Sequence, residues 1–180
     1  ALGQRELAEK YYEDGQWTEA AKQYGQYIAN PNHFPEDKER YAVLLFTGNN
    51  YQKAYDIASE VLRNKPGDIT LQRIVVRSLD ALNRDSDALQ ETQRYFENAA
   101  NANKFNAADY KFYATLLTKA NQDSLAVVVL QKGAQAFPED GSILKSLSDA
   151  YWAKKEYKLS AEFYNKYLGE AKDPQRSDYY

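Results

Sequence analysis

The sequence predicts an all-α solenoid of helix–turn–helix repeats, and three observations carry that prediction. A small residue recurs at Ala20, Ala54, Ala88, Ala126 and Ser160, at spacings of 34, 34, 38 and 34 residues. Residues that tolerate a left-handed backbone, Gly15, Asn49, Asn83 and Asn121, stand at equivalent places in the first four copies. Pro31, Pro66 and Pro138 close units where a helix has to stop. A fixed period of this size is the signature of a repeat array, in which each unit packs only on its neighbours. Such an array presents surface and argues against a buried catalytic pocket.

Five units follow in order, at about residues 1–34, 35–68, 69–106, 107–140 and 141–174. In the first, Leu7, Ala8 and Tyr11 recur at helical spacing, Gly15 ends the helix, and Ala20, Tyr24, Tyr27 and Ile28 form the stripe of the second helix. Pro35 suits the first turn of the next helix, where its missing N–H costs nothing. That helix carries Tyr41, Ala42 and Leu45; its partner carries Tyr51, Ala54, Ala58, Val61 and Leu62. Asp68 is an N-cap for the third pair, which shows Val75, Val76 and Leu79, then Ala88, Tyr95 and Phe96. The fourth pair carries Tyr113, Ala114 and Leu117, then Ala126 and Leu130. The fifth carries Leu147, Ser148 and Tyr151, turns near Lys155-Glu156-Tyr157, and continues with Ser160, Tyr164 and Leu168.

The one long spacing places its excess in Glu97–Lys104, and four residues are about one helical turn. Its alanines favour an extension of the preceding helix, while its three asparagines favour a longer loop; the helix is the expectation taken forward. At the far end Asp173-Pro174 resembles a further N-cap, so residues 175–180 are expected to begin a sixth inner helix. No polar capping helix closes the period, which points to a window cut from a longer array or to ends that pack on something else.

Charged residues make up 27% and hydrophobic ones 43%, ordinary values for a globular chain. The 16 Tyr are the outlier, and Tyr suits an array because its ring fills gaps between helices while its hydroxyl reaches water. A net charge of −3 without long single-sign runs speaks against nucleic acid or an anionic membrane as partner. No apolar stretch approaches the roughly 20 residues needed to span a bilayer. With no Cys, a thiolate zinc site, a disulfide framework and a thiol nucleophile are excluded. The lone His33 lies in a loop without a second His, so neither a metal centre nor a His-assisted nucleophile is supported, and no Gly-rich phosphate loop is present. No catalytic residue, cofactor or metal is expected. Glu36-Asp37 and Glu139-Asp140 stand where helices begin, and the helix dipole accounts for them. The absence of Cys and Met with many Tyr and Asn leans the composition towards a bacterial envelope protein shorn of its leader.

The unit resembles the tetratricopeptide repeat, a 34-residue helix–turn–helix. Leu7, Ala8, Tyr11, Gly15, Trp17, Ala20, Tyr24 and Pro31 carry the match in the first unit, and Ala42, Leu45, Tyr51, Ala54 and Pro66 in the second. Ala114, Leu117, Ala126 and Pro138 carry it in the fourth, and Leu147, Tyr151, Tyr157 and Tyr164 in the fifth. The third is weakest, with Asp85 and Thr92 where an aromatic residue is usual.

That resemblance implies a right-handed superhelix whose first helices line a concave groove. Placed there are Arg5, Glu9 and Tyr12; Glu39, Val43 and Phe46; Arg73 and Arg77; Lys111, Phe112 and Thr115; and Lys145, Asp149 and Trp152. Arg73, Arg77 and Lys111 would hold an acidic or C-terminal carboxylate group, and Tyr12, Phe46 and Trp152 would pack apolar side chains. Many family members grip a chaperone C-terminus through a Lys/Asn/Asn/Lys/Arg clamp. The matching places here hold Arg5, Glu9, Arg40, Thr70 and Ile74, which rejects that partner: Glu9 would repel a carboxylate and Ile74 cannot bond one. The expected function is a non-enzymatic scaffold that binds a protein or peptide in the groove. The alternative is a structural array within a longer protein, self-associating through uncapped ends, and an enzyme or small-ligand receptor has the least support.

Overall fold

A computed structural model describes residues 3–170. Among them the chain is all-helical, with ten α-helices in consecutive antiparallel pairs: α1 (Gln4–Glu13) with α2 (Trp17–Ile28), α3 (Pro35–Thr47) with α4 (Tyr51–Leu62), and α5 (Ile69–Ala81) with α6 (Asp85–Glu97). Then come α7 (Ala107–Lys119) with α8 (Asp123–Ala136), and α9 (Gly141–Ala153) with α10 (Tyr157–Glu170). The expected sixth inner helix lies outside the described residues. Packing divides the chain into two compact units that part between Asn101 and Ala102, inside the four-residue excess.

All five turns within pairs close in one way. Gly15, Asn49, Asn83 and Asn121 adopt φ of 71°, 61°, 58° and 58°. A backbone bond then spans five residues at 2.8–2.9 Å: Gln16 to Tyr11, Asn50 to Leu45, Arg84 to Leu79, Gln122 to Leu117 and Glu156 to Tyr151, each N–H donating to the earlier carbonyl. This is the Schellman closure, which satisfies carbonyls that a helix end otherwise leaves open. The fifth turn uses Lys155 at φ 61°, a residue with no special tolerance for that region. Its neighbours Lys154 and Glu156 pair at 2.8 Å across the turn.

Each pair is held where small residues let helices touch. Ala8, Ala20, Ala42, Ala54, Ala88 and Ala126 are all without solvent exposure. The fifth pair substitutes Ser148 and Ser160, and the Ser148 hydroxyl donates to the Ser160 carbonyl at 2.8 Å, so burying two hydroxyl-bearing residues leaves a bond made. Gly133 on α8 marks a tighter approach: a Cβ there would sit 2.9 Å from the Tyr110 Cβ and 3.3 Å from Ile143 Cδ1.

The four extra residues do not lengthen α6. That helix ends at Glu97 because Asn98 turns extended (φ −75°, ψ 109°), and its side chain accepts the Ala100 N–H at 3.0 Å. Asn competes for backbone groups in this way, and here it outweighs the helix preference of the alanines. A short 3-10 turn, Ala99–Asn101, follows and places Asn101 in the core with no exposure. Its amide donates to Gln72 Oε1 at 3.3 Å and to the Tyr95 carbonyl at 3.2 Å, while its own Oδ1 has no partner.

Gly133→Ala should lower stability by about 1–3 kcal/mol through overpacking on Tyr110. Gly169→Ala, where nothing lies within 4 Å, should instead raise it by roughly 0.5–1 kcal/mol. Urea denaturation of the two variants checks the contrast, and equal midpoints would contradict the packing described.

Candidate functional site: two clefts beside the inner helices

The inner helices of the first unit are α1, α3 and α5. Arg5, the first charged residue expected in the groove, is committed within the chain. Its Nε donates to Asp37 Oδ2 at 2.8 Å and its Nη1 pairs with Glu9 at 3.1 Å, while its guanidinium lies 4.8 Å from the centre of the Phe34 ring. Asp37 is only 2% exposed, so the dipole of α3 is the lesser part of its role and the ion pair with Arg5 the greater. Glu9 also lies 3.8 Å from Arg40. Arg40 in turn covers the Tyr12 ring at 4.8 Å and donates to the Tyr24 hydroxyl at 3.0 Å. That bond, with smaller help from Tyr12 and Glu9, holds Arg40 charged, and burial pushes the Tyr24 phenol up. These side chains staple α1, α2 and α3 together, which leaves Arg5 and Glu9 as structural groups.

Three other expected residues do share a cleft. Tyr12, Glu39 and Val43 line about 360 Å³ together with Glu36, Arg40, Asp68, Thr70 and Leu71. Its acidic side chains outnumber its basic one, and Glu39 already accepts Lys65. Phe46 lies outside this lining and packs edge-on against Tyr51 at 5.5 Å. Arg73 and Arg77 are half-buried on α5, each with interactions of its own, and neither lines the cleft. Ile74, at a clamp position, is 5% exposed and belongs to the core.

In the second unit α7 and α9 flank a cleft of about 290 Å³ that gathers Lys111, Thr115 and Asp149. Thr118, Lys119 and Ser146 complete its polar lining over an apolar base of Ala114, Leu130, Ala150 and Ala153. Lys111 Nζ donates to Ser142 Oγ at 2.9 Å, and Thr115 Oγ1 donates to the Lys111 carbonyl at 2.9 Å. Asp149 makes no hydrogen bond or ion pair among the described residues. Much of the residue stays in water, yet burial pushes its carboxyl above the ordinary Asp range, with Lys145 pulling weakly the other way. Lys145 itself sits over the Tyr167 ring at 5.5 Å. Phe112 is half-buried and outside the lining, and Trp152 is 64% exposed, edge-on to Tyr157 at 4.8 Å.

Sequence reading missed Thr118, Lys119 and Ser146, although helical spacing from Thr115 and Asp149 places them on the same faces. His33 Nδ1 donates to the Asn30 carbonyl, 2.7 Å away, and its ring packs on Tyr27, a loop-fixing role. Among the described residues no cluster of His, Asp or Glu is placed to hold a metal, and no helix is long and apolar enough to cross a membrane.

Repeated helix pairs, one turn closure and small residues at every crossing define a helical repeat protein. The sequence model of the tetratricopeptide repeat family matches residues 5–69 and 119–177, and the chain belongs to that family. Solved structures agree on the fold. MamA from Desulfovibrio magneticus RS-1 superposes with a TM-score of 0.79 over 94% of this chain and 97% of its own, at 18% identity. YrrB, described as a TPR protein with an unusual peptide-binding site, gives 0.76 over 97% and 87%, at 14% identity. No curated protein matches in sequence.

Two outcomes test the electrostatics. Arg5→Ala leaves Asp37 buried without its partner and should cost roughly 1–3 kcal/mol, less than a fully buried pair because Arg5 is partly exposed, read by denaturant unfolding. For Asp149 the folded carboxyl holds its proton more tightly than the unfolded one, so its ionised form costs stability at neutral pH. That cost fades as pH falls through the folded-state value towards 3.8. Asp149→Asn should therefore raise Tm slightly at pH 7, with the gain shrinking to nothing near pH 3.5.

Proposed function

We propose that the chain is a protein-interaction module without catalytic activity, and that the cleft between α7 and α9 binds an extended segment of a partner protein. The observation that carries this reading is Asp149: a carboxylate partly withdrawn from water, with no hydrogen bond or ion pair among the described residues, at the edge of an open cleft. Such a group is a cost to the fold and a ready acceptor for a ligand. Peptide amide N–H groups or a basic side chain would satisfy it. Lys111, in the same cleft, keeps ammonium donors beyond the one given to Ser142 for peptide carbonyls or an acidic side chain, and the alanines leave room for the backbone to lie close. The family and the likeness in fold to a peptide-binding TPR protein support this reading in kind.

The cleft of the first unit, with Tyr12, Glu39 and Val43, is the second candidate on the inner face. Its acidic excess fits a partner segment bearing basic residues there, where the sequence alone suggested an acidic one. Arg73, Arg77 and Lys111 do not serve as a shared carboxylate grip in this reading, because neither arginine lines the cleft that holds Lys111.

A random dodecapeptide library selected on the wild-type chain should yield binders that lose at least about tenfold in affinity to Lys111→Glu combined with Asp149→Lys, as expected when two charged contacts are lost. Both residues lie in the cleft lining, so far-ultraviolet circular dichroism of the double variant should stay native. Binders that ignore the double variant would overturn the assignment to this cleft.

A further inference from the structure

A third cleft lies on the other side of α5 from the Tyr12 cleft, between α4 and α6 in the first unit, with a volume of about 440 Å³. That is within the roughly 300–1,000 Å³ typical of ligand pockets. At its base lie Gln72 and Val75, 3% and 4% exposed. The half-buried rings of Tyr55 and Tyr95 and the side chain of Leu62 supply apolar surface above.

This base is fixed by the residues that break the repeat. Gln72 Nε2 donates to the Pro66 carbonyl at 2.6 Å, and buried Asn101 donates to Gln72 Oε1 and to the Tyr95 carbonyl. One side chain from the inserted turn therefore ties together the loop after α4, the helix α5 and the end of α6. A cleft whose three supporting segments are pinned from beneath is preorganised, which lowers the ordering cost of filling it.

Its polar groups are mostly donors. Arg63 is exposed and makes no hydrogen bond or ion pair among the described residues; Glu60, an acid it influences, is bonded to Lys38 at 2.6 Å. The Ser59 and Tyr95 hydroxyls also make no bond among the described residues, and burial pushes the Tyr95 phenol up, so it stays a donor at any physiological pH. The one carboxylate in the lining, Glu91, accepts Arg94 at 2.8 Å. Apolar ring walls beside donors that make no bond within the described protein, with a surplus positive charge, match a ligand that is apolar on one side and carboxylate on the other.

We infer that this cleft is a second peptide-binding site, separate from the inner face, which takes a partner segment carrying a bulky apolar side chain beside a carboxylate. The apolar side chain enters between Tyr55 and Tyr95 and over Val75. The carboxylate accepts from Arg63 and the Tyr95 hydroxyl.

Titrating the 180-residue chain with acetyl-Phe-Glu-amide, acetyl-Phe-Gln-amide and acetyl-Ala-Glu-amide, followed by amide NMR shifts, tests this inference. The expected result is saturable shifts at Ser59, Leu62, Arg63, Val75 and Tyr95. The Phe-Glu probe should bind about fivefold more tightly than Phe-Gln, the scale of one partly exposed ion pair. Ala-Glu should bind more weakly than either. Arg63→Gln, a surface change, should erase the Glu-over-Gln preference and leave Tm unchanged, and Tyr95→Phe should reduce it. Absence of saturable shifts, shifts confined to the α7–α9 cleft, or equal affinity for Phe-Glu and Phe-Gln would each overturn the proposal. Because the α7–α9 cleft is read by separate residues, its own peptide binding stands or falls independently.

Discussion

Close contact between helices at small side chains is the constraint on which the rest of this structure depends. Wherever Ala8, Ala20, Ala42, Ala54, Ala88 and Ala126 stand, the helices meet with no room for a larger group. Once two helices touch, the connecting turn has few solutions, and all five turns adopt the same left-handed residue and five-residue-spanning bond. The fifth pair shows how strict the requirement is about volume and how loose about chemistry. Ser148 and Ser160 fit because each is small and their hydroxyls pair with each other's neighbourhood rather than staying bare. Gly25 extends the same logic between pairs, since a Cβ there would lie 2.8 Å from the Tyr41 hydroxyl.

With packing fixed by small residues, the charged side chains divide into those that hold elements together and those left open. Asp37, Arg5, Glu9, Arg40 and Tyr24 form one continuous network across the first three helices. A buried carboxylate at its centre is tolerable only because a guanidinium bonds it directly. Asp149 is the contrast: it stands largely exposed at a cleft edge and makes no hydrogen bond or ion pair among the described residues. Arg63, Ser59 and the Tyr95 hydroxyl repeat that contrast with donors in place of an acceptor. Binding sites in a repeat protein are found by this difference between satisfied and unsatisfied polar groups, since the periodic pattern gives every unit the same faces.

Fold and site were legible to different degrees. Gly15, Asn49, Asn83 and Asn121 could be read as turn residues because so few side chains tolerate positive φ, and all four adopt it. Lys155 could not, because nothing in a lysine marks it for that role. The family resemblance placed Tyr12, Glu39 and Val43, and Lys111, Thr115 and Asp149, on the groove side, and each of these two sets shares a cleft. The same resemblance also placed Arg5 and Glu9 there, and they are spent on Asp37 and Arg40, partners 32 and 31 positions away that no local pattern reveals. The extra residues after Phe96 were expected to extend a helix; Asn98 ends it and Asn101 buries itself instead. Local propensity counted the alanines, while the outcome turned on two amides finding backbone and side-chain partners.

By itself the sequence determined the all-α class, the helix-pair repeat, its turns and which residues are small at each crossing. These follow from a period of about 34 residues and from backbone preferences that act over a few positions. Tertiary structure alone decided which charged groups are consumed internally, that Asn101 supports a cleft through Gln72, and that Asp149 and Arg63 make no hydrogen bond or ion pair among the described residues. Those outcomes depend on distances between residues from different helices, and a hydrogen bond or ion pair is made or missed within a few tenths of an ångström that no one-dimensional pattern encodes.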